Sequence, residues 1–598
     1  MLAILVIVPM LLAGFAALVM RHKRYIKYTA VAASIFSLAI AVALIFNSSK
    51  VQALGWFSVA GVSFDLVTYT YSINLLLLLL VCFIAPFIFL YSFGFMYKRN
   101  EQARYYFEMS MFSASMMLFA ISGNFITLFI SWEMLGLFSY LLIGFWTDEE
   151  EAVKSARKAL TIISIGDVSM LMAIILIWKS YGSFSFSAIL AAPFHYEIML
   201  ALGLMLVAAF TKAAQFPFHE WLPAAMAGPT PVSAFLHSST MVKAGVFLLI
   251  ILYPLFAAAH MLWVILAIGL ASVFISISNA LAESHIKKIL AYSTIEDLGL
   301  MLVAIGLHAL YAAILLFFVQ TFYKALIFMV AGSAMRANDN REDIYRIYAI
   351  YKNKLLYASA IIGVAAIAGI FPLAGFFGKF AIDSASTWVF PILLAADLGT
   401  SIYIFRWLFV ISSKPRSVQD EIPLNISYGL LPKSMLYAGF ALAIASAVAG
   451  AMYFYLPKII TLSSYAGLLA SGLHLPLEIN LVEAELATVI IAFGIFVSYN
   501  IFKARIWSIE KYKKSRPLYL LFYSSVPFNI FYKYFAIVFD KASLALLDFD
   551  RALFSSASNF AKGFMSLGML LRNSVNGKIW AYTMALALGI AILIFIFL

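Results

Sequence analysis

Charge is what this chain has least of: Asp, Glu, Lys and Arg make up 11% of its 598 residues, where a soluble domain carries about 25%. That deficit excludes a soluble enzyme. Cysteine is scarcer still, and the single thiol, Cys82, can neither close a disulfide within the chain nor hold an iron–sulfur cluster. Gly-rich nucleotide loops of the two common types are missing. Of eight histidines only His237 sits clearly inside an apolar run, too few for haem ligation between helices. Metalloprotease-type His or carboxylate spacing is absent, and so is a nucleophile elbow. The expectation is a chain with no redox centre, cofactor or metal of its own.

What is abundant is hydrocarbon, with 64% hydrophobic residues. Apolar runs of about 20 residues recur along the whole length, each long enough to cross about 30 Å of hydrocarbon as a helix. The fold class expected is an all-α polytopic membrane protein of about 16 transmembrane helices. The spans lie near 2–20, 26–46, 66–92, 105–122, 124–146, 158–179, 197–213, 231–253, 259–281, 286–306, 309–335, 355–383, 391–412, 434–456, 484–502 and 579–598. The net charge of +12 does not indicate nucleic acid, because the basic residues gather in loops after odd-numbered spans, as in "RHKRYIK", "KRNEQAR", "ESHIKK" and "KARIWSIEKYKKSR". Loops on the other side hold mainly Lys50 and Lys458. This one-sided bias sets topology and places both termini outside the cytoplasm. Residues 1–20 have no basic n-region and read as an anchored span rather than a cleaved signal.

Residues 517–577 break the pattern. Apolar residues at helical spacing are interrupted by Lys533, Asp540, Lys541, Asp548, Asp550, Arg551, Lys562 and Arg572. Such a helix suits a membrane or protein surface better than a crossing. It reads either as a strut for partner subunits or as an ordinary interfacial helix.

The informative residues are those that hydrocarbon should exclude, each costing roughly 2.5–3.5 kcal/mol at a helix centre on insertion scales. Glu133, Asp167, Lys212, His237, Lys243, Lys324 and Lys379 all lie within spans; Glu296, Asp297, Asp383 and Asp397 lie within or beside them. Carboxylates, lysines and a histidine strung through consecutive spans suit proton hand-over, since a desolvated lysine can exchange its proton under the control of a nearby carboxylate. The bland alternatives are a structural Glu133–Lys212 pair, structural pairing of Asp167 and Lys324, a packing histidine at 237 and a snorkelling Lys379. For Glu296, Asp297, Asp383 and Asp397 the alternative is solvation or capping. Asp65 and Arg406 read as structural. His237 and Lys243 are six residues apart, so one continuous helix would turn them roughly 240° apart toward different neighbours.

Lys212 precedes Pro217, and Lys379 follows Pro372, so both lysines sit beside a helix interruption. Discontinuous helices line water-filled cavities in transporters. The two lysines fall in the seventh and twelfth spans. That odd separation makes the segments enter the membrane in opposite directions, as an inverted repeat requires. The repeats are expected at 105–253 and 259–412. Pro229 and Pro231 would start the helix after the first interruption.

The stretch "AQFPFHEWLPAAMAGPTPVSAFLHSSTMVKAGVFLLIILY", with "SWEMLGLFSYLLIGFW", "IKKILAYSTIEDLGLM", "FYKALIFMVAGS", "FPLAGFFGK" and "TSIYIFRWLF", resembles the antiporter-like membrane subunits of complex I and the related Mrp cation/proton antiporters. The resemblance spans roughly residues 60–412. It implies two inverted five-helix repeats, each with a broken helix serving as a proton half-channel. It further implies that Glu133 modulates Lys212, the broken-helix lysine, and that Asp167 lies toward a subunit interface. His237 and Lys324 would link the half-channels, with Lys379 as the exit. The amphipathic segment before a last span resembles the lateral helix of NuoL-type subunits, whereas Lys243 in "HSSTMVKAG" looks more Mrp-like. Relatives often carry two histidines upstream of the lysine in "FYKALIF", where this chain has Leu316 and Gln320. Glu296 and Asp297 replace the uncharged residues common after "AYST".

The organisation expected is N-terminal helices (1–104), the two repeats, further helices and loops (413–516), the lateral helix (517–577) and a final anchor (578–598). The function expected is proton translocation as a NuoL-type subunit of a complex I-like dehydrogenase in a prokaryotic plasma membrane. Quinone, flavin and iron–sulfur clusters would reside in partner subunits, and neighbouring antiporter-like subunits would pack along the lateral helix. The alternatives are the large subunit of an Mrp-type or hydrogenase-linked sodium/proton antiporter module and a transport-inactive assembly scaffold.

Overall fold

Long apolar runs bounded by polar loops fold as helices that saturate their own backbone hydrogen bonds, the requirement that hydrocarbon imposes. In the computed structural model, residues 3–20, 25–46, 51–59, 62–97, 99–414, 428–461 and 481–504 are described. The chain divides into two units, Met1–Tyr523 and Ser524–Leu598, and every described residue belongs to the first. The expected lateral helix (517–577) and final anchor (578–598) lie outside the described residues.

The first unit opens with α1 (Val8–Val19) and α2 (Ile26–Ala43), then two strands, β1 (Val51–Val59) and β2 (Val62–Tyr69). There follow α3 (Ser72–Phe95), α4 (Gln102–Ala120), α5 (Phe125–Ile143), α6 (Glu150–Tyr181), the short α7 (Phe186–Ala191) and α8 (Met199–Lys212). The single turn α9 (Trp221–Ala224) leads to α10 (Thr230–Ser238), α11 (Met241–Ile251) and α12 (Tyr253–Ala258). Then come α13 (Leu262–Ala282), α14 (Ile286–Gly306), α15 (Leu310–Ala337), α16 (Lys354–Ala368), α17 (Ala374–Asp383) and α18 (Phe390–Ile411). The described part closes with α19 (Lys433–Val448), α20 (Met452–Thr461) and α21 (Leu481–Ser498). Among the described residues, 11 helical segments are long and apolar enough to cross a membrane. Two shorter apolar helical segments, Ile4–Val19 and Lys354–Ala368, accompany them.

The all-α expectation fails at one place. The span expected at 66–92 begins as strand, and its helix runs Ser72–Phe95. Strands β1 and β2 pair antiparallel from Val51 opposite Tyr69 to Val59 opposite Val62, with an irregularity between Gly55 and Phe57. Aromatic and β-branched residues alternating with Ser63 and Asp65 favour a strand over a helix here. The hairpin docks on the loop before α5, where the Tyr69 N–H donates to the Ile121 carbonyl (2.7 Å) and the Gly123 N–H to that of Val67 (2.8 Å). The Asn124 amide donates to the Asp65 carbonyl at 2.8 Å, which agrees with a structural reading of this segment. An open two-stranded edge cannot be satisfied by lipid, so the hairpin belongs at the membrane surface.

Both expected interruptions are present, and they are built alike. Helix α8 ends with Ala214 in the left-handed region (φ 50). Its N–H donates to the Thr211 carbonyl (3.2 Å) and the next N–H, of Gln215, to that of Phe210 (2.8 Å). Helix α16 ends with Gly369 (φ 79), whose N–H donates to Ala366 (3.2 Å), while that of Ile370 donates to Ala365 (3.0 Å). These paired bonds are a Schellman ending, which uses up carbonyls that lipid would leave bare. A Phe-Pro pair follows each, Phe216-Pro217 and Phe371-Pro372, and both peptide bonds are cis. The same Thr211 carbonyl also accepts from the indole N–H of Trp221 at 2.8 Å. Pro229 caps α10 and Pro231 occupies its first turn, as expected.

Close helix packing depends on missing side chains. A Cβ on Gly166 of α6 would lie 1.8 Å from the Thr211 hydroxyl of α8. On Gly375 of α17 it would meet the Ala366 carbonyl at 1.7 Å. Arg406 donates to the carbonyls of Leu281 (2.8 Å) and Ala280 (2.9 Å) at the end of α13, in keeping with a structural role.

Candidate functional site

Three lysines sit fully inside the helix bundle, each with a carboxylate. Lys212, the last residue of α8, has its Nζ 3.3 Å from Asp167 Oδ1 of α6 and donates to the Trp132 carbonyl of α5 at 3.1 Å. The Trp132 indole donates to the same Asp167 oxygen at 2.7 Å, so one carboxylate is held by an ammonium and a ring N–H. The bland alternative of a direct Glu133–Lys212 ion pair is not what the structure shows. Within 4.0 Å the carboxylate partner among the described residues is Asp167, while Glu133 is half-buried on α5 beyond ion-pair distance. The reason is geometric: Trp132 turns its carbonyl and ring toward the lysine, and its neighbour is rotated about 100° away around the helix.

The second lysine, Lys324 of α15, is 3.0 Å from Asp297 of α14 and donates to Ser293 at 2.6 Å. The Tyr323 hydroxyl donates to Asp297 at 3.1 Å. The third, Lys379 of α17, is 3.0 Å from Asp397 of α18 and 3.6 Å from Glu296 of α14. Glu296 accepts from Tyr403 at 2.6 Å and from the Thr400 hydroxyl, both of α18. Asp383, at the end of α17, faces Asp397. Glu296 and Asp297 are each 1% exposed and Asp383 and Asp397 each 4%, which does not fit the solvated reading for any of the four. Snorkelling is likewise excluded for Lys379, whose nitrogen ends on two buried carboxylates.

Between these groups lies a less connected region. Lys243 of α11 donates to the Phe317 carbonyl and the Thr321 hydroxyl of α15, both neutral acceptors. His237 of α10 stacks on Phe328 of α15, with ring centroids 4.5 Å apart. Its backbone carbonyl accepts from Gln320 Nε2 at 3.2 Å. Neither ring nitrogen of His237 nor Gln320 Oε1 has a hydrogen-bond partner among the described residues. His237 and Lys243 both approach α15 but meet different residues there, Phe328 for the one and Phe317 with Thr321 for the other. Ser239 and Thr240 leave the helical conformation between α10 and α11, so a continuous 100° step per residue does not apply across them.

Several partners escaped sequence reasoning. Trp132, Ser293, Thr321, Tyr323, Thr400 and Tyr403 are ordinary span residues by composition, and only the fold turns them onto charges. Asp397 did carry a signal, being ionisable inside an apolar run 18 residues after Lys379. Outside the spans, the loop after α15 is tied to the start of α14 by His285 and Glu342 at 3.0 Å. Burial alone would raise the Glu342 carboxyl, but His285, Lys287 and Lys288 outweigh it and hold the group below the usual carboxylate range. No cluster of three or more metal-ligating side chains occurs among the described residues.

Fold and site together define a multi-pass membrane protein with an internal path of buried charges. Residues 122–403 match the sequence model of the NADH:quinone oxidoreductase/Mrp antiporter membrane family. Through this region the chain is similar to the antiporter-like membrane subunits of that family. It is 28% identical over 568 residues to NADH-quinone oxidoreductase subunit L of Buchnera aphidicola, covering 90% of this chain and 88% of the relative. It is 37% identical over 268 residues to NAD(P)H-quinone oxidoreductase subunit 5 of Paulinella chromatophora, covering 43% of this chain but only 40% of that relative. The fold is similar to the Mrp complex of Dietzia sp., with a TM-score of 0.72 at 21% identity, over 99% of this chain and 61% of that one.

Proposed function

We propose that the chain is the proton-translocating, NuoL-type membrane subunit of a complex I-like respiratory dehydrogenase. One observation carries the reading: adjacent residues of α14, Glu296 and Asp297, hold different lysines on different helices, Lys379 and Lys324. A lysine keeps its proton while a carboxylate stays beside it, and releases it when that carboxylate turns to another partner. Glu296 and Asp297 therefore couple two lysines through one rigid helix. Lys212 with Asp167 forms the corresponding switch in the first half, and Glu133 tunes it from a distance. Lys243, His237 and Gln320 fill the stretch between the halves, and Lys379 with Asp397 and Asp383 forms the exit. Electrons would pass through flavin, iron–sulfur clusters and quinone in partner subunits, with none of these in this chain.

The organisation goes with this reading. Residues 105–253 and 259–412 form two inverted half-channels, a view supported by the matching Ala214–Pro217 and Gly369–Pro372 interruptions. Residues 1–104 precede them, 413–516 follow, and the amphipathic 517–577 segment braces neighbouring subunits ahead of an anchor at 578–598. The Lys/Arg bias supports about 16 spans in a prokaryotic plasma membrane with both termini outside the cytoplasm.

The second reading, a sodium/proton antiporter module of Mrp type, is favoured by the buried Lys243 in "HSSTMVKAG". Inside-out vesicles carrying the whole assembly decide. Proton uptake driven by the electron donor, independent of sodium and strongly reduced by Asp167→Asn or Lys212→Ala in assembled complexes, supports the proposal. Transport that requires sodium supports the second reading. Unchanged uptake in both variants would leave the scaffold reading standing.

A further inference from the structure

A cavity of about 770 Å³ opens among α2, α3, α15 and the α19–α20 pair, on a side of α15 that no charge of the proton path uses. Its walls are hydrocarbon, and no Asp, Glu, Lys, Arg or His lines it among the described residues. The hydroxyls lie at one end. Thr70 and Ser72 stand at the start of α3, and Tyr455 is on α20. Helix α19 begins beside the end of α3, since a Cβ on Gly94 would meet Pro432 at 2.8 Å, so its far end returns to the α3 start. Helix α15 also begins there, where the Tyr311 hydroxyl donates to the Tyr453 carbonyl at 2.6 Å. The deep end is closed by Phe83 and Phe322, whose rings meet edge to face at 5.7 Å.

Depth identifies the occupant. From Ser72 to Phe83 helix α3 rises about 17 Å at 1.5 Å per residue. One leaflet of a bilayer with a core of about 30 Å is about 15 Å deep. The cavity thus runs from a hydroxyl-bearing rim to an aromatic floor over one leaflet, and dry apolar cavities of this kind take hydrocarbon rather than water. We propose that it is a binding site for an acyl chain of a membrane glycerophospholipid, with the ester and headgroup region at Thr70, Ser72 and Tyr455. The chain would pack on Phe318 and Phe322, one turn or less from Gln320, Thr321 and Lys324, and would hold α15 in place from its outer side.

The test uses the intact assembly in phosphatidylcholine nanodiscs. One batch carries a diazirine at the acyl-chain end and the other carries it at the headgroup, and photolysis is followed by peptide mapping. The expected pattern is chain-end labelling at Phe83 or Phe322 and headgroup labelling at Thr70, Ser72 or Tyr455. Ala445→Trp, which fills the cavity from α19, should abolish both signals while labels on the exposed face of α6, at Leu171 and Ile175, persist. Cavity labelling no stronger than that on α6, or without the depth order, would overturn the proposal. So would displacement of the labels by decylubiquinone, which would assign the cavity to a quinone tail. Crosslinks from cavity residues to another subunit's helix would overturn it as well, and neither of these last results depends on the variant folding.

Discussion

Replacing Asp297 by Asn removes one charge and almost nothing else. The amide is nearly isosteric, and its oxygen can still accept from the Tyr323 hydroxyl that now donates to Asp297 at 3.1 Å. What it loses is the 3.0 Å ion pair with Lys324, both members of which are at most 1% exposed. Removing one partner of a buried pair costs about 3–5 kcal/mol, because the remaining charge is left uncompensated. A loss of 3 kcal/mol alone shifts the protonation balance between linked groups by more than about 100-fold, at 1.36 kcal/mol per tenfold. The expected outcome is proton uptake by inside-out vesicles reduced at least tenfold, with the assembly weakened on native gels. Lys324→Met in the same chain removes the orphaned ammonium. Replacing both members of a buried pair by uncharged groups is often neutral or stabilising by 1–4 kcal/mol. The double variant should therefore regain stability but not pumping. A purely structural pair would recover both together, and wild-type proton uptake by Asp297→Asn or by the double variant would refute the switch.

Three other outcomes follow from named contacts. Lys212→Ala should abolish most proton uptake, whereas Glu133→Asp should be mild because Asp167, not Glu133, touches the lysine; uptake measurements on assembled complexes rank the two. Lys243→Ala should cripple uptake if Lys243 bridges the gap that Gln320 leaves, and Gln320→His should partly restore it, since imidazole titrates near neutral pH. Normal uptake by Lys243→Ala alone would show that the gap closes without that lysine. Gly166→Ala should destabilise the α6–α8 contact by about 1–3 kcal/mol, a typical cost of overpacking. Its Cβ would sit 1.8 Å from the Thr211 hydroxyl, next to Lys212, so lower thermal stability of the assembly should accompany slower uptake.

The sequence by itself determined the class of protein, the interruptions at Pro217 and Pro372, and which ionisable residues lie inside apolar spans. These are readable because hydrocarbon penalises charge and broken helix so heavily that each instance stands out in a linear string. Composition located Lys212, Lys324 and Lys379 without any coordinates. It missed the hairpin at Val51–Tyr69, most of which fell between the spans expected at 26–46 and 66–92, with only its last residues taken into the second. Only the tertiary structure decided the pairing. Asp167 rather than Glu133 reaches Lys212, Asp397 joins Lys379, and Glu296 and Asp297 divide between two lysines. Which carboxylate meets which ammonium depends on the rotation and separation of helices far apart in the chain, fixed by contacts such as Gly166 against Thr211 and by the Schellman endings at Ala214 and Gly369. Periodicity gives the face of one helix but not the angle at which a second helix meets it.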